Sequence, residues 1–350
     1  MSLLESIRGS LWARRRQPDQ VSYMIALAHE RFAPDDLLRQ AVKAEEAGFD
    51  GICASDHTAP WWEPGTPAPA ACGNVWVWLG AVGQATKHIP FGTAVTAIVH
   101  RYNPLVVAQQ VATLEAMFPG RAFLGVGSGE AMNEVPAGMR WPDTGEQLAR
   151  TEEALTIIRR LLHRETVDFD GTYFSARGAR LYVQYERVPP IYMSAFHTEA
   201  AGVAGRLADG VWTLGDPRRA PQVIQAYRRG CEQAGREPGE IILQSVFSWA
   251  EDDDTAFESA REWKGTMVDE NYTSDMHAPA EIYRAAEEQI PDAEFKSEVI
   301  ASADPATHVK RIRAIEKLGA TTVVLMNVSG ADPHGAIGVY GQQVLPELRG

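Results

Sequence analysis

The chain has 350 residues, 45% of them hydrophobic and 23% charged, enough to bury a large core without cross-links. A formal net charge of −13 argues against nucleic-acid binding, which needs clustered Lys and Arg to displace counterions. Three widely spaced cysteines, Cys53, Cys72 and Cys231, build neither a disulfide framework nor a zinc site, so a reducing cytoplasm and no metal are expected.

The basic run Arg14 to Arg16 leads into polar Gln17-Pro18-Asp19-Gln20 rather than the apolar segment of an export signal. An N-terminal extension is therefore expected over residues 1–20, with one domain over 21–350. No apolar stretch approaches the roughly 18 residues of a membrane span.

From there, short runs apolar on both faces recur: Tyr23 to Ala28, Gly51 to Ala54, Ile89 to Val95, Ala122 to Val126, Ile191 to Ala195, Val211 to Leu214, Ile241 to Trp249 and Thr321 to Met326. Continuous apolarity marks strands covered on both sides, as in a parallel sheet. Helical patterns alternate with them. The first opens on Asp35-Asp36 and stops at Gly48; others are expected over Thr151 to His163 and Ala306 to Leu318. Eight such alternations predict an α/β fold, a (β/α)8 TIM barrel, ahead of a doubly wound open sheet. Residues 57–86, 165–189 and 250–300 are too long for turns and are expected to roof the barrel mouth.

Chemistry concentrates at strand ends. Ser55-Asp56-His57 closes the second strand, where an imidazole can move a proton and a neighbouring carboxylate can orient it; a structural Asp-His pair is the alternative. Gly125-Val126-Gly127-Ser128-Gly129-Glu130 closes the fourth, either a tight turn or a place where backbone approaches a ring or phosphate, with Glu130 a candidate acid or base. Glu30, just past the first strand, faces the same mouth. The fifth ends in Ala195-Phe196-His197-Thr198 at a helix start suited to an anion. Trp61, Trp62, Trp76 and Trp78 crowd the insertion after strand two, as an apolar substrate wall or as core beneath a long loop.

Together these segments resemble the luciferase-like superfamily, in its branch using the 5-deazaflavin coenzyme F420, and most closely the F420-dependent glucose-6-phosphate dehydrogenase group. The resemblance runs from about Met24 to Leu348 on Glu30-Arg31-Phe32-Ala33-Pro34, Ser55-Asp56-His57-x-x-Pro60-Trp61, Arg101-Tyr102-Asn103-Pro104, Phe123 to Glu134, Val167-Asp168-Phe169-Asp170-Gly171 and Ala204-Gly205-Arg206-x-Ala208-Asp209-Gly210. It implies a (β/α)8 barrel, a homodimer, and hydride transfer between an alcohol or ketone and the deazaflavin. Carried over, the pattern makes His57 the acceptor of the hydroxyl proton, sets Trp61 beside the reacting centre, Glu130 near the ring and Glu30 near the substrate oxygen. Asp56, Asn133, Ala94, Val95, Ala195, Phe196 and His197 would contact the cofactor, Ala94-Val95 through the non-prolyl cis peptide that the family often has there.

Two departures stand out. The places where the sugar-phosphate enzymes hold phosphate with Lys or Arg fall on Pro217, Thr273 and Glu298, with Arg218, Arg219 and Lys296 nearby. An uncharged, bulky or apolar alcohol or ketone is therefore expected in place of a sugar phosphate. The bulk of Phe196-His197 replaces small glycines against the cofactor phosphate. Alternatives are a monooxygenase of the same fold using flavin mononucleotide (FMN) and a non-catalytic deazaflavin carrier.

Overall fold

The computed structural model describes residues 20–63, 65 and 69–350. The extension expected over residues 1–20 lies, apart from Gln20, outside the described residues.

Eight parallel strands close into a cylinder: β1 (Ser22–Leu27), β2 (Gly51–Ala54), β3 (Phe91–Thr93), β4 (Ala122–Gly127), β5 (Ile191–Ser194), β6 (Gly210–Leu214), β7 (Glu240–Ser248) and β8 (Thr322–Asn327). Closure comes from β8, whose Thr322 is in register with Ser22 of β1 on one side and Ile242 of β7 on the other. The strands fall where both-face apolarity places them, because alternate residues serve two cores. Met24, Ala26, Phe123, Tyr192, Trp212, Ile242 and Val324 fill the interior. Tyr23, Ile25, Leu124, Ile191, Val211, Leu243 and Val323 pack outward against helices.

The helix after β1, α1 (Pro34–Ala47), ends at Gly48 with φ +86°, a left-handed stop that suits glycine. The helix expected from Thr151 starts earlier, as α4 (Thr144–Leu162) after α2 (Val75–Ala85) and α3 (Pro104–Met117). Asp143 caps it by accepting from the Glu146 N–H at 2.9 Å. Its polar opening turns carry no apolar stripe to mark them.

Strand three is not the continuous run Ile89 to Val95. It stops at Thr93, passes through a cis Ala94–Val95 peptide, and resumes at Thr96–Ala97 beside β4. Val95 thereby leans on the end of β4: a Cβ at Gly127 would meet Val95 Cγ2 at 2.7 Å. Glycine at the end of β4 thus reflects close approach by its neighbour.

The roof expectation is met by residues 57–63 of the first insertion and by 250–300, joined through Trp61–Tyr272 and Trp62–Trp263, whereas residues 75–85 form the outer helix Val75–Ala85 and 165–189 does not join the roof. That segment follows α4 and precedes β5, so it lies at the rim opposite the strand C-termini. It folds as an antiparallel hairpin, Val167–Asp170 with Ser175–Ala179. Glu153 of α4 holds it, accepting the N–H groups of Thr172, Tyr173 and Phe174 at 2.8, 2.9 and 3.0 Å. Among the described residues no helix is long and apolar enough to cross a membrane.

Gly127→Ala should cost about 1–3 kcal/mol through overpacking against Val95, read as a lower midpoint in chemical denaturation.

Candidate active site

The C-terminal ends of β1, β2 and β4 bring three candidate groups together. His57 Nε2 lies 3.6 Å from Glu30 Oε1 and 4.0 Å from Glu130 Oε2. Glu30 is buried, its other oxygen accepting from Ser55 Oγ at 2.7 Å, while Glu130 is partly open to solvent. Trp61 sits beside the imidazole with ring centroids 5.2 Å apart.

Asn133, in the short helix Ala131–Glu134 after β4, ties these loops to one another. Its Oδ1 accepts from Thr58 N–H at 2.8 Å, and its Nδ2 lies 3.1 Å from Glu130 Oε2 and 3.2 Å from His57 Nδ1.

Arg101 braces the floor of the site, a role its motif did not reveal. It pairs with Asp56 Oδ1 at 3.1 Å, with the Asp56 carbonyl and with the Glu134 carboxylate. Asp56 also accepts from Thr96 Oγ1 at 3.0 Å, just past the cis peptide. Burial alone would pull the Arg101 guanidinium down, yet Asp56 and Glu134 hold it above its ordinary value. Next to it, His100 is pushed down to about 4, by burial first and by nearby Arg150 second, so it is neutral near pH 7.

The remaining candidates ring the same mouth. Ala94 and Val95 are half-buried after β3, and Ala195 is buried after β5. Phe196 and His197 are exposed there, at the start of the helix Thr198–Leu207, which has no side-chain cap. The roof reaches them through Tyr272, whose ring lies 6.1 Å from Phe196 and 6.2 Å from Trp61. Tyr272 has no motif around it, and only packing identifies it.

Among the described residues of the first insertion, Trp61 is the tryptophan that adjoins His57. Trp62 packs on Trp263 of the roof at 5.2 Å. Trp78 packs on His29 at 4.7 Å and donates to the Pro34 carbonyl, and Trp76 belongs to the outer core.

The basic groups near the expected phosphate places are already engaged. Arg218 contacts Glu298 at 2.8 Å and Asp216 at 3.1 Å, and Arg219 lies 3.9 Å from Asp216. Lys296 sits 5.1 Å over the Phe257 ring. Deeper in the roof, Lys264 is buried against Asp292 and Glu287.

Residues 8–322 match the model of a family described as luciferase-like monooxygenase. The F420-dependent glucose-6-phosphate dehydrogenase of Microbacterium testaceum is 39% identical over 325 residues, 91% of this chain and 95% of that one. The enzyme of the same name from Nakamurella multipartita is 37% identical over 339 residues, 95% and 98% of the two chains. Among solved structures, an F420-dependent secondary alcohol dehydrogenase in complex with an F420-acetone adduct superposes with a TM-score of 0.88. It is 31% identical, over 95% of this chain and 100% of that one.

Arg101→Met removes the partner of two buried carboxylates, Asp56 and Glu134, and should lower stability by about 3–5 kcal/mol in denaturant titration.

Proposed function

This chain belongs to the luciferase-like monooxygenase family, and we propose that it is an F420-dependent oxidoreductase that interconverts an uncharged alcohol and its ketone. Two findings support the cofactor: sequence relatives 37–39% identical are named for F420, and so is the structure that superposes at 0.88. When bound, the deazaflavin supplies hydride acceptance and return, since carbon replaces the reactive flavin nitrogen.

The residues at the mouth fit such a group. Ala94 and Val95 would support the flat ring, with Asp56 and Asn133 at its edge. The uncapped N–H groups at the start of the Thr198–Leu207 helix would hold its phosphate beside Phe196 and His197. Glu130, partly open to solvent, would stand at the ring, and Trp61 would wall the substrate carbon. His57 and Glu30 would meet the substrate oxygen.

The substrate class is supported by one observation: Arg218 and Arg219, the arginines beside the expected phosphate places, both face protein carboxylates, Arg218 those of Glu298 and Asp216 and Arg219 that of Asp216. A dianion placed there would compete with those carboxylates for the guanidinium groups and meet their negative charge. At the mouth, Trp61, Tyr272 and Phe196 form an aromatic wall suited to an apolar alcohol. Free thiols at Cys53, Cys72 and Cys231 accord with a cytoplasmic setting.

The assembly we propose is a homodimer. Val77 of α2 is 77% exposed, and Leu105, Val106 and Met117 of the neighbouring α3 are 37%, 42% and 57% exposed. Apolar side chains so placed on two adjoining helices suit a self-complementary contact.

Fluorescence titration should show F420 binding more tightly than FMN; tight FMN binding alone would favour the monooxygenase reading. With F420 bound, secondary alcohols should reduce it while glucose 6-phosphate should not. Binding without turnover on any alcohol would point to a carrier. Separately, Val77→Glu should convert the dimer to monomer in sedimentation velocity.

A further inference from the structure

The hydrogen bonds around Asn133 specify where His57 carries its proton. An amide side chain has one accepting oxygen and one donating nitrogen, and here neighbours decide which is which. On one side the Thr58 backbone N–H can only donate, and it meets Asn133 Oδ1 at 2.8 Å; Thr58 Oγ1 lies on the same oxygen at 3.2 Å. On the other side a Glu130 carboxylate oxygen lies 3.1 Å from Nδ2. Rotating the amide by half a turn would set N–H against N–H at Thr58 and oxygen against oxygen at Glu130.

The second hydrogen of Nδ2 is directed at His57 Nδ1, 3.2 Å away. A donor facing that nitrogen requires a lone pair on it, so the ring proton sits on Nε2. The opposite face agrees, since Nε2 looks toward Glu30 Oε1 at 3.6 Å and Glu130 Oε2 at 4.0 Å. Carboxylate oxygens there call for a donor.

We infer that His57 serves the reaction as an Nε2–H hydrogen-bond donor to the substrate oxygen, held in that tautomer by Asn133, and that Glu30 takes the hydroxyl proton. This rests on the alcohol dehydrogenase reading above and assigns the roles within it. A nitrogen already protonated at Nε2 has no lone pair to accept the hydroxyl proton. Glu30 Oε1 has one, and an oxygen about 2.8 Å from both Nε2 and Oε1 closes a compact triangle on their 3.6 Å separation.

In the oxidation, the O–H bond breaks and its proton forms a carboxylic acid on Glu30. The C–H bond breaks with its electron pair, which leaves as hydride to the deazaflavin, and the C=O bond forms. His57 Nε2–H stabilises the negative charge that develops on the oxygen between these events. In the reverse direction Glu30 returns the proton while His57 polarises the carbonyl. Ser55 Oγ, 2.7 Å from Glu30 Oε2, keeps the other carboxylate oxygen turned away. Asn133 is a positioning residue in this scheme, and Glu30 and His57 are the catalytic pair.

The test has two arms. In protein labelled with 15N-histidine, long-range proton–nitrogen correlation spectra should show His57 with a protonated Nε2 and an unprotonated Nδ1, assigned by the signals lost in His57→Gln. In Asn133→Asp, which replaces the donating nitrogen by an accepting oxygen, the tautomer should reverse. A protonated Nδ1 in the unsubstituted protein overturns the inference. This arm needs neither cofactor nor turnover, so it stands even if F420 fails to bind and the function proposed above falls.

The second arm measures hydride transfer to F420 in single turnover. Glu30→Gln should lose about 10²–10⁴-fold. His57→Gln, whose side-chain amide can still donate from the same place, should lose at least about tenfold less than Glu30→Gln. Equal losses, or a larger loss at His57, return the role of base to the imidazole and overturn the inference.

Discussion

Closure of the parallel sheet is the constraint on which the other features depend. Because β8 pairs with both β1 and β7, every strand ends its C-terminal side at one rim. Residues far apart in the chain, such as Glu30, His57 and Glu130, have no other means of meeting. The same closure sends αβ connections to the far rim, which is why the hairpin in residues 165–189 takes no part in the site although it, too, is too long for a simple turn.

A rim crowded with carboxylates needs compensation, and a few cations provide it locally. Arg101 serves Asp56 and Glu134 from one guanidinium, whose planar fork can reach a backbone carbonyl as well. After β6, Arg218 faces Asp216 and Glu298, and on the roof Lys264 faces Asp292 and Glu287. The outcome is a mouth in which Glu30 and Glu130 have imidazole, hydroxyl and amide neighbours. Such a mouth is equipped to move protons.

The walls follow from packing more than from charge. Val95 presses against the end of β4, so Gly127 must lack a side chain. Tyr272, arriving from the roof, links Phe196 after β5 to Trp61 after β2. These contacts give the rim one aromatic side, facing the ionisable group of Glu30, His57 and Glu130.

Much of this was legible in the chain. All eight strands could be read from apolar runs, since burial on both faces is written directly into composition, and Ser55-Asp56-His57 and Glu130 could be found because strand ends carry chemistry in a barrel. The sequence alone therefore determined the architecture and the residue types at the mouth. Only the tertiary structure decided that Arg101 is the common counter-charge, that Tyr272 completes the wall, that Trp61 and not Trp62, Trp76 or Trp78 adjoins the imidazole, and that Asn133 presents its nitrogen to His57. The Arg101 and Asn133 contacts are directional pairings of about 3 Å between segments tens of residues apart, and the Trp61 and Tyr272 contacts depend on how rings pack in space; local periodicity encodes neither.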